Sequence, residues 1–194
     1  KAAKKNGQHA VAVTDHGNVS AHREWQTTCK EEGIKPILGI EAYISATDRF
    51  DKRDKATRSD GTDVYNHLII LAKNEAGLKN LYKLSEIAWT EGYYYKPRMD
   101  LEVLEEHKEG LVVLSGCLNG LIAKAIERED YAKAREYAKW FHNQFGEDFY
   151  IEVQAHNPFH INEGLLTIAD ELGIKAVATS DCHFPTKDMK DLEE

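Results

Sequence analysis

Cysteine is scarce in this chain: Cys29, Cys117 and Cys182 are the only three, an odd number with no closely spaced pair. A disulfide framework and a Cys-x-x-Cys metal knuckle are thereby excluded, and a reducing cytoplasm fits better. Long apolar runs are absent too. Nothing approaches the roughly 18 residues of a membrane span, and the opening KAAKKNGQHA has no apolar core of the signal-peptide kind. Positive charge is in deficit, with 25 Lys and Arg against 33 Asp and Glu and a formal net charge of −8. A domain that grips nucleic acid unaided shows a basic face. Contact with DNA would therefore need a local basic patch or a neighbouring domain. There is no initiator methionine. The chain opens on Lys1 in what reads as the last turns of a helix, which suggests a piece cut just before a strand.

What is present reads as one globular domain over 1–194, with 42% hydrophobic and 30% charged residues. Short runs rich in Val, Ile and Leu recur: AVAVTDHG (10–17), KPILGIEAY (35–43), NHLIILAKN (66–74), LVVLSGC (111–117), FYIEVQAH (149–156) and AVATSDCHF (176–184). Bounded by Gly, Pro or polar residues, they have the pattern of buried parallel strands. Between them lie helical patterns at 20–33, 74–89, 123–145 (two helices meeting near Asp130) and 161–173. The alternation predicts an α/β fold with a mostly parallel sheet. The segment 45–65 has no buried pattern and reads as an exposed insert. A solvated loop is the simpler reading; a substrate-contact loop carrying Lys52, Arg53, Lys55 and Arg58 is the alternative.

Most of these runs end on residues that bind metals. His16, Glu41, Cys117, His156, Asp181 and His183 all fall at or near strand ends, where ligands gather in α/β folds. His, Asp, Glu and Cys together are the ligand types of zinc, manganese and iron. Asp181 and His183 are two apart, so on an extended segment they point the same way and Cys182 points the other. Asp15 and His16 are adjacent, and spacing does not choose between them. Taken singly, each residue has a plainer reading. Asp15 could cap a helix beginning near Asn18, and Cys117 could be a small buried hydrophobe. His9, His22, His107, His142 and His160 lie on helices or loops without strand-end partners, and read as surface or hydrogen-bonded residues.

The blocks VAVTDHGN, GIKPILGIEAYI, NHLIILAKNEAGLKNLYKL, YYYKPRMD, GLVVLSGCLNG, EVQAHNPFHINEGLLTIADELGI and AVATSDCHF resemble, in this order, the polymerase and histidinol phosphatase (PHP) domain. They are most similar to the form found at the N-terminus of bacterial DNA polymerase III α subunits. The resemblance implies a distorted (β/α)7 barrel with up to three divalent metals, zinc or manganese, at its strand ends. It implies His16, Glu41, His67, Cys117, Asp181 and His183 as metal ligands, with His156 a further candidate, and Asp181, His183 and Glu41 as the catalytic set. His67 precedes its strand, so the strand-end rule alone does not select it.

The family's first motif, a His-x-His pair on the first strand, is not in this sequence. The resemblance therefore implies a barrel missing that strand, an incomplete site, and slow or no hydrolysis by residues 1–194 alone. The implied function is a role in DNA replication, with metal-dependent 3′–5′ exonuclease proofreading in one branch of the family. The implied partners are DNA, reached through the full polymerase, and replisome subunits such as an exonuclease or a sliding clamp. A non-catalytic interaction module and a small-molecule phosphatase of the same fold are the alternatives.

Overall fold

The computed structural model describes residues 1–53, 63–184 and 189. After a short helix, α1 (Ala2–Lys5), the chain runs through β1 (Ala10–Val13), α2 (His22–Glu32) and β2 (Lys35–Ile44). Next come β3 (Asn66–Ala72), α3 (Glu75–Thr90), β4 (Tyr93–Tyr94), β5 (Lys96–Met99), α4 (Leu101–Glu106) and β6 (Leu111–Leu114). The last third holds α5 (Leu121–Glu127), α6 (Tyr131–Phe145), β7 (Phe149–Gln154), α7 (Phe159–Leu172) and β8 (Lys175–Thr179). Helix ends follow local chemistry. Asn74 and Asp130 accept N-terminal amide hydrogen bonds from Gly77 and Lys133, and Gly33 and Gly173 close α2 and α7 in the left-handed conformation.

One curled sheet in the order β4-β5-β2-β3-β6-β7-β8, with β1 also on β2, forms an α/β half-barrel of the distorted (β/α) kind. Strand β2 is its axis. One edge of β2 takes β1 in parallel at Lys35–Leu38 and then β5 in parallel at Tyr43 and Ile44, while the other edge takes β3. The expected mostly parallel sheet holds for four of the seven strand pairs among the described residues and is corrected for the other three. Strand β3 runs antiparallel to both β2 and β6, and β4 runs antiparallel to β5. The reason lies in the connection: a parallel neighbour needs a crossover, generally a helix, and the described residues between Ile44 and Asn66 contain none. Packing of α3, α5, α6 and α7 on the strands buries Ile40, Ile70, Leu84, Val113, Ile151 and Ile168, each worth about 1.5–3 kcal/mol of apolar burial.

A second correction concerns AVATSDCHF. The strand stops at Thr179, and β8 is not buried: Ala176 and Ala178 are exposed. It pairs with β7 on one side, and no described strand pairs with the other. Of the 45–65 insert, Ser45 is buried and 47, 48, 50, 52 and 53 are exposed, whereas Lys55 and Arg58 lie outside the described residues. No helix among the described residues is long and apolar enough to cross a membrane.

Candidate metal centre

The site grows from the main chain of β2. Beyond the end of β1, the Glu41 amide donates to Asp15 O at 3.1 Å and the Gly17 amide donates to Glu41 O at 2.9 Å. His16 is thereby locked beside Glu41 as an isolated parallel bridge. Gly17 makes the turn at φ +67°, and a β-carbon there would sit 2.8 Å from both Pro97 and Tyr43. Helix α2 begins at His22 without a side-chain cap, so Asp15 does not cap it and contributes its carbonyl to the sheet instead. Geometry makes the choice that spacing left open: His16 enters the cluster.

His67 arrives from the opposite direction. Because β3 is antiparallel, its beginning lies at the same sheet edge as the end of β2, with His67 opposite Tyr43. Side chains alternate along a strand, so Glu41, Tyr43 and His67 share one face. The same edge is reached after β6 through Ser115 and Gly116. Gly116 has φ +84°, and a β-carbon on it would lie 2.8 Å from His67 O. The tight turn sets Cys117 over the pair.

Glu41 is the hub. The residue is 5% exposed. Oε1 lies 2.6 Å from His67 Nδ1, and Oε2 lies 3.5 Å from His16 Nε2. Cys117 Sγ lies 3.7 Å from His67 Nδ1 and 4.0 Å from Glu41 Oε1. Ligand atoms of His16, Glu41 and His67 all fall within 4.8 Å of one another. His183 approaches from beyond β8, with Asp181 Oδ1 3.9 Å from its Nδ1, while the grouped ligand atoms are those of His16, Glu41 and His67. Asp181 turns the chain at φ +48°, and the His183 ring comes to 5.8 Å from His16. His183 Nδ1 lies 2.8 Å from Asp181 O, a contact in which its N–H donates and the basic lone pair falls on Nε2. Cys182 is exposed and donates to Phe184 O at 3.1 Å. A left-handed turn sets its direction, not the strand alternation expected from sequence. His156 is exposed in the turn after β7 and lies outside the group of His16, Glu41 and His67. His22 and His107 bond main-chain carbonyls, as their plainer reading expects.

The electrostatics follow from this packing. Burial disfavours the Glu41 carboxylate, but the His67 hydrogen bond and the nearby charges of His16, His67 and His183 win and lower its pKa. Burial alone would lower the His67 pKa; hydrogen bonds and charge from Cys117 and Glu41 push it up to about 9. Beside the cluster opens a cavity of about 660 Å³ bordered by His16, His67, Tyr43, Tyr65, Lys96 and Lys124. Lys96 is held 5.3 Å over the Tyr43 ring.

Residues 1–156 match the family model described as the PHP domain. The chain belongs to the PHP domain family. Among relatives of this PHP domain, the DNA polymerase III subunit alpha of Aquifex aeolicus is 45% identical over 188 residues, covering 95% of this chain and 16% of the relative. That of Borreliella burgdorferi is 41% identical over 191 residues, covering 97% and 16%. The chain thus spans about 16% of the length of these relatives. Solved structures agree on the fold. A protein described as a metal-dependent phosphoesterase from Bifidobacterium adolescentis matches at TM-score 0.55 and 17% identity, covering 95% of this chain and 81% of its own. An amidohydrolase from Chromobacterium violaceum matches at TM-score 0.58 and 14% identity, covering 96% and 81%.

Sequence reasoning passed over Lys96, Lys124 and Tyr65 at the cavity, and Glu152 in β7. Glu152 carried a usable signal, a lone carboxylate inside an apolar strand. Lys124 carried none, because a lysine on a helix is ordinary.

Proposed function

We propose that His16, Glu41, His67, Cys117, Asp181 and His183 hold divalent metals, zinc or manganese, and that the site hydrolyses phosphoesters. The observation that carries this reading is a buried carboxylate set between two imidazoles with a thiol beside them. The donor set fits. Ligands about 2.0–2.3 Å from one tetrahedral metal stand roughly 3.3–3.8 Å apart, so Glu41 and His67, hydrogen-bonded at 2.6 Å, part when both bind one ion. The His16–Glu41 separation is 3.5 Å and the Cys117–His67 separation is 3.7 Å. Imidazole and thiolate favour zinc or manganese over magnesium. When bound, the metals supply Lewis acidity toward phosphoryl oxygens and lower the pKa of water.

The chain's own residues supply the rest. Lys96 and Lys124 border the cavity; Lys124 Nζ is paired with Glu127 at 3.1 Å, and Lys96 offers a cation to phosphoryl oxygens. Glu41 and Asp181, with His183, form the catalytic set. Half-buried Tyr65, packed against Tyr43 and stacked on His67, adds an aromatic ring to the cavity wall. Together with relatives named DNA polymerase III subunit alpha, these features favour the 3′ end of single-stranded DNA as substrate, with the full polymerase and its replisome subunits as the setting. The test is release of 3′ nucleotides from a labelled oligonucleotide with added manganese or zinc. Expected is slow release or none by residues 1–194, and metal-dependent release by a version extended upstream by a His-x-His strand, which a chelator or His183→Ala abolishes. Equal release by that extended version and its His183→Ala variant would overturn the reading.

A further inference from the structure

Glu152 is a carboxyl buried to 3% exposure in β7. Its amide donates to Ser115 Oγ at 2.8 Å, which ties β7 to the turn carrying Cys117. Its Oε1 accepts from Thr179 Oγ1 at 2.5 Å and from Gln154 Nε2 at 3.0 Å, and Gln154 Nε2 also lies 3.4 Å from Thr179 Oγ1. Glu152 Oε2 and Gln154 Oε1 are buried without a hydrogen-bond partner among the described residues. Burial, with Asp181 and Glu41 as nearby charges, raises the Glu152 pKa against the pull of the Thr179 and Gln154 hydrogen bonds. A protonated carboxyl turns one of two orphan acceptors into a donor, which suits such a pocket.

Thr179 is the last residue of β8, the largely exposed edge strand. Main-chain pairing to β7 ends at this residue, opposite Gln154. Two positions later Asp181 makes its left-handed turn and brings His183 to His16. The direction in which the chain leaves β8 therefore decides whether Asp181 and His183 reach the other ligands.

We propose that Glu152 is a positioning residue: through Thr179 it fixes the end of β8 and so delivers Asp181 and His183 to the site. The link to metal affinity rests on the metal-site reading above; the fixing of the strand end does not. The role is acceptance of a hydrogen bond, so a neutral glutamine serves as well as the carboxyl.

The experiment compares Thr179→Val, Glu152→Ala and Glu152→Gln in the whole chain. Backbone order parameters at 180–184 are measured by NMR without metal, and manganese affinity is measured by calorimetry. In Thr179→Val and Glu152→Ala, order at 180–184 falls into the flexible range below about 0.6, while β3 keeps its order. Manganese affinity falls roughly 10- to 100-fold, the usual cost of losing a residue that orients a metal ligand. Glu152→Gln matches wild type in both readouts. Unchanged order at 180–184 in Thr179→Val, or a loss spread equally to β3, overturns the proposal. So does Glu152→Gln behaving like Glu152→Ala. A wild type that binds no manganese defeats the metal-site reading, and the order parameters still decide the role of Glu152.

Discussion

Glu41→Gln separates a metal site from a structural ion-pair cluster. The substitution keeps side-chain volume, and the amide oxygen can still accept from His67 at the 2.6 Å contact. What is lost is negative charge between His67 and His16. Hydrogen bonds to charged groups contribute about 1.5–3 kcal/mol against about 0.5–1.5 for neutral ones. The His67 hydrogen bond therefore loses roughly 1–1.5 kcal/mol and the half-exposed His16 ion pair at 3.5 Å about 0.5 kcal/mol, partly offset because a buried charge no longer has to be desolvated. For a domain of this size, about 1 kcal/mol moves Tm by roughly 2–4 °C, so the metal-free variant melts no more than about 8 °C below wild type. Metal affinity obeys a different scale. Removing even an outer partner of a ligand costs about 10- to 100-fold, and Glu41 contributes its own anionic oxygens, so a loss of at least 100-fold in zinc or manganese affinity is expected. The assays are thermal melting in chelator and competition titration against a chelating dye. A variant that melts as expected yet binds metal within about threefold of wild type would refute the assignment of Glu41 as a ligand.

Gly17→Ala is expected to destabilise the fold by about 2–4 kcal/mol, because it adds left-handed strain to a clash with Pro97 and Tyr43 at 2.8 Å; denaturant unfolding measures it, and a loss under about 0.5 kcal/mol would show that His16 is not held through this turn. Cys182→Ser should leave metal content unchanged while Asp181→Asn lowers it, since Cys182 is exposed and bonded to Phe184 O; elemental analysis after dialysis decides, and equal loss in both would place Cys182 in the site. The folded-state pKa of Glu152 is raised above the ordinary 4.5, so its stabilising contribution is full below that value and is lost as pH rises through the folded pKa. Glu152→Gln should accordingly gain stability relative to wild type between pH 4 and pH 7 in thermal melts, and a constant difference across that range would count against a raised pKa.

The strand ends were legible because hydrophobic runs broke off at residues that no core accepts unpaired. His16 and Cys117 fall where those runs stop and Glu41 near the end of its run, and the structure brings all three together. His67 was not legible from its run, since only an antiparallel β3 places a strand's first residues at the shared edge. Strand direction depends on the connection through 45–65, which has no periodicity. The end of β8 was misread for a related reason. Apolar AVAT resembles a buried strand, but its alanines are small enough to stand exposed on an edge. Beyond Thr179 the direction of Asp181, Cys182 and His183 comes from a left-handed turn at Asp181, a conformation that an Asp does not announce in sequence. Glu152 was marked locally by a lone carboxylate in an apolar strand, whereas Lys96 and Lys124 depend on packing between distant segments, which local pattern does not encode.

The most direct test of the central claim is metal binding by the purified 194-residue chain, measured by calorimetry with zinc and manganese for wild type and for separate alanine variants of His16, Glu41, His67, Cys117, Asp181 and His183. The expected result is a saturable site in the wild type that each of these variants weakens by at least about tenfold, while His156→Ala does not. A wild type that binds no metal, or a set of variants that all bind like wild type, would contradict the claim that these residues form a metal centre.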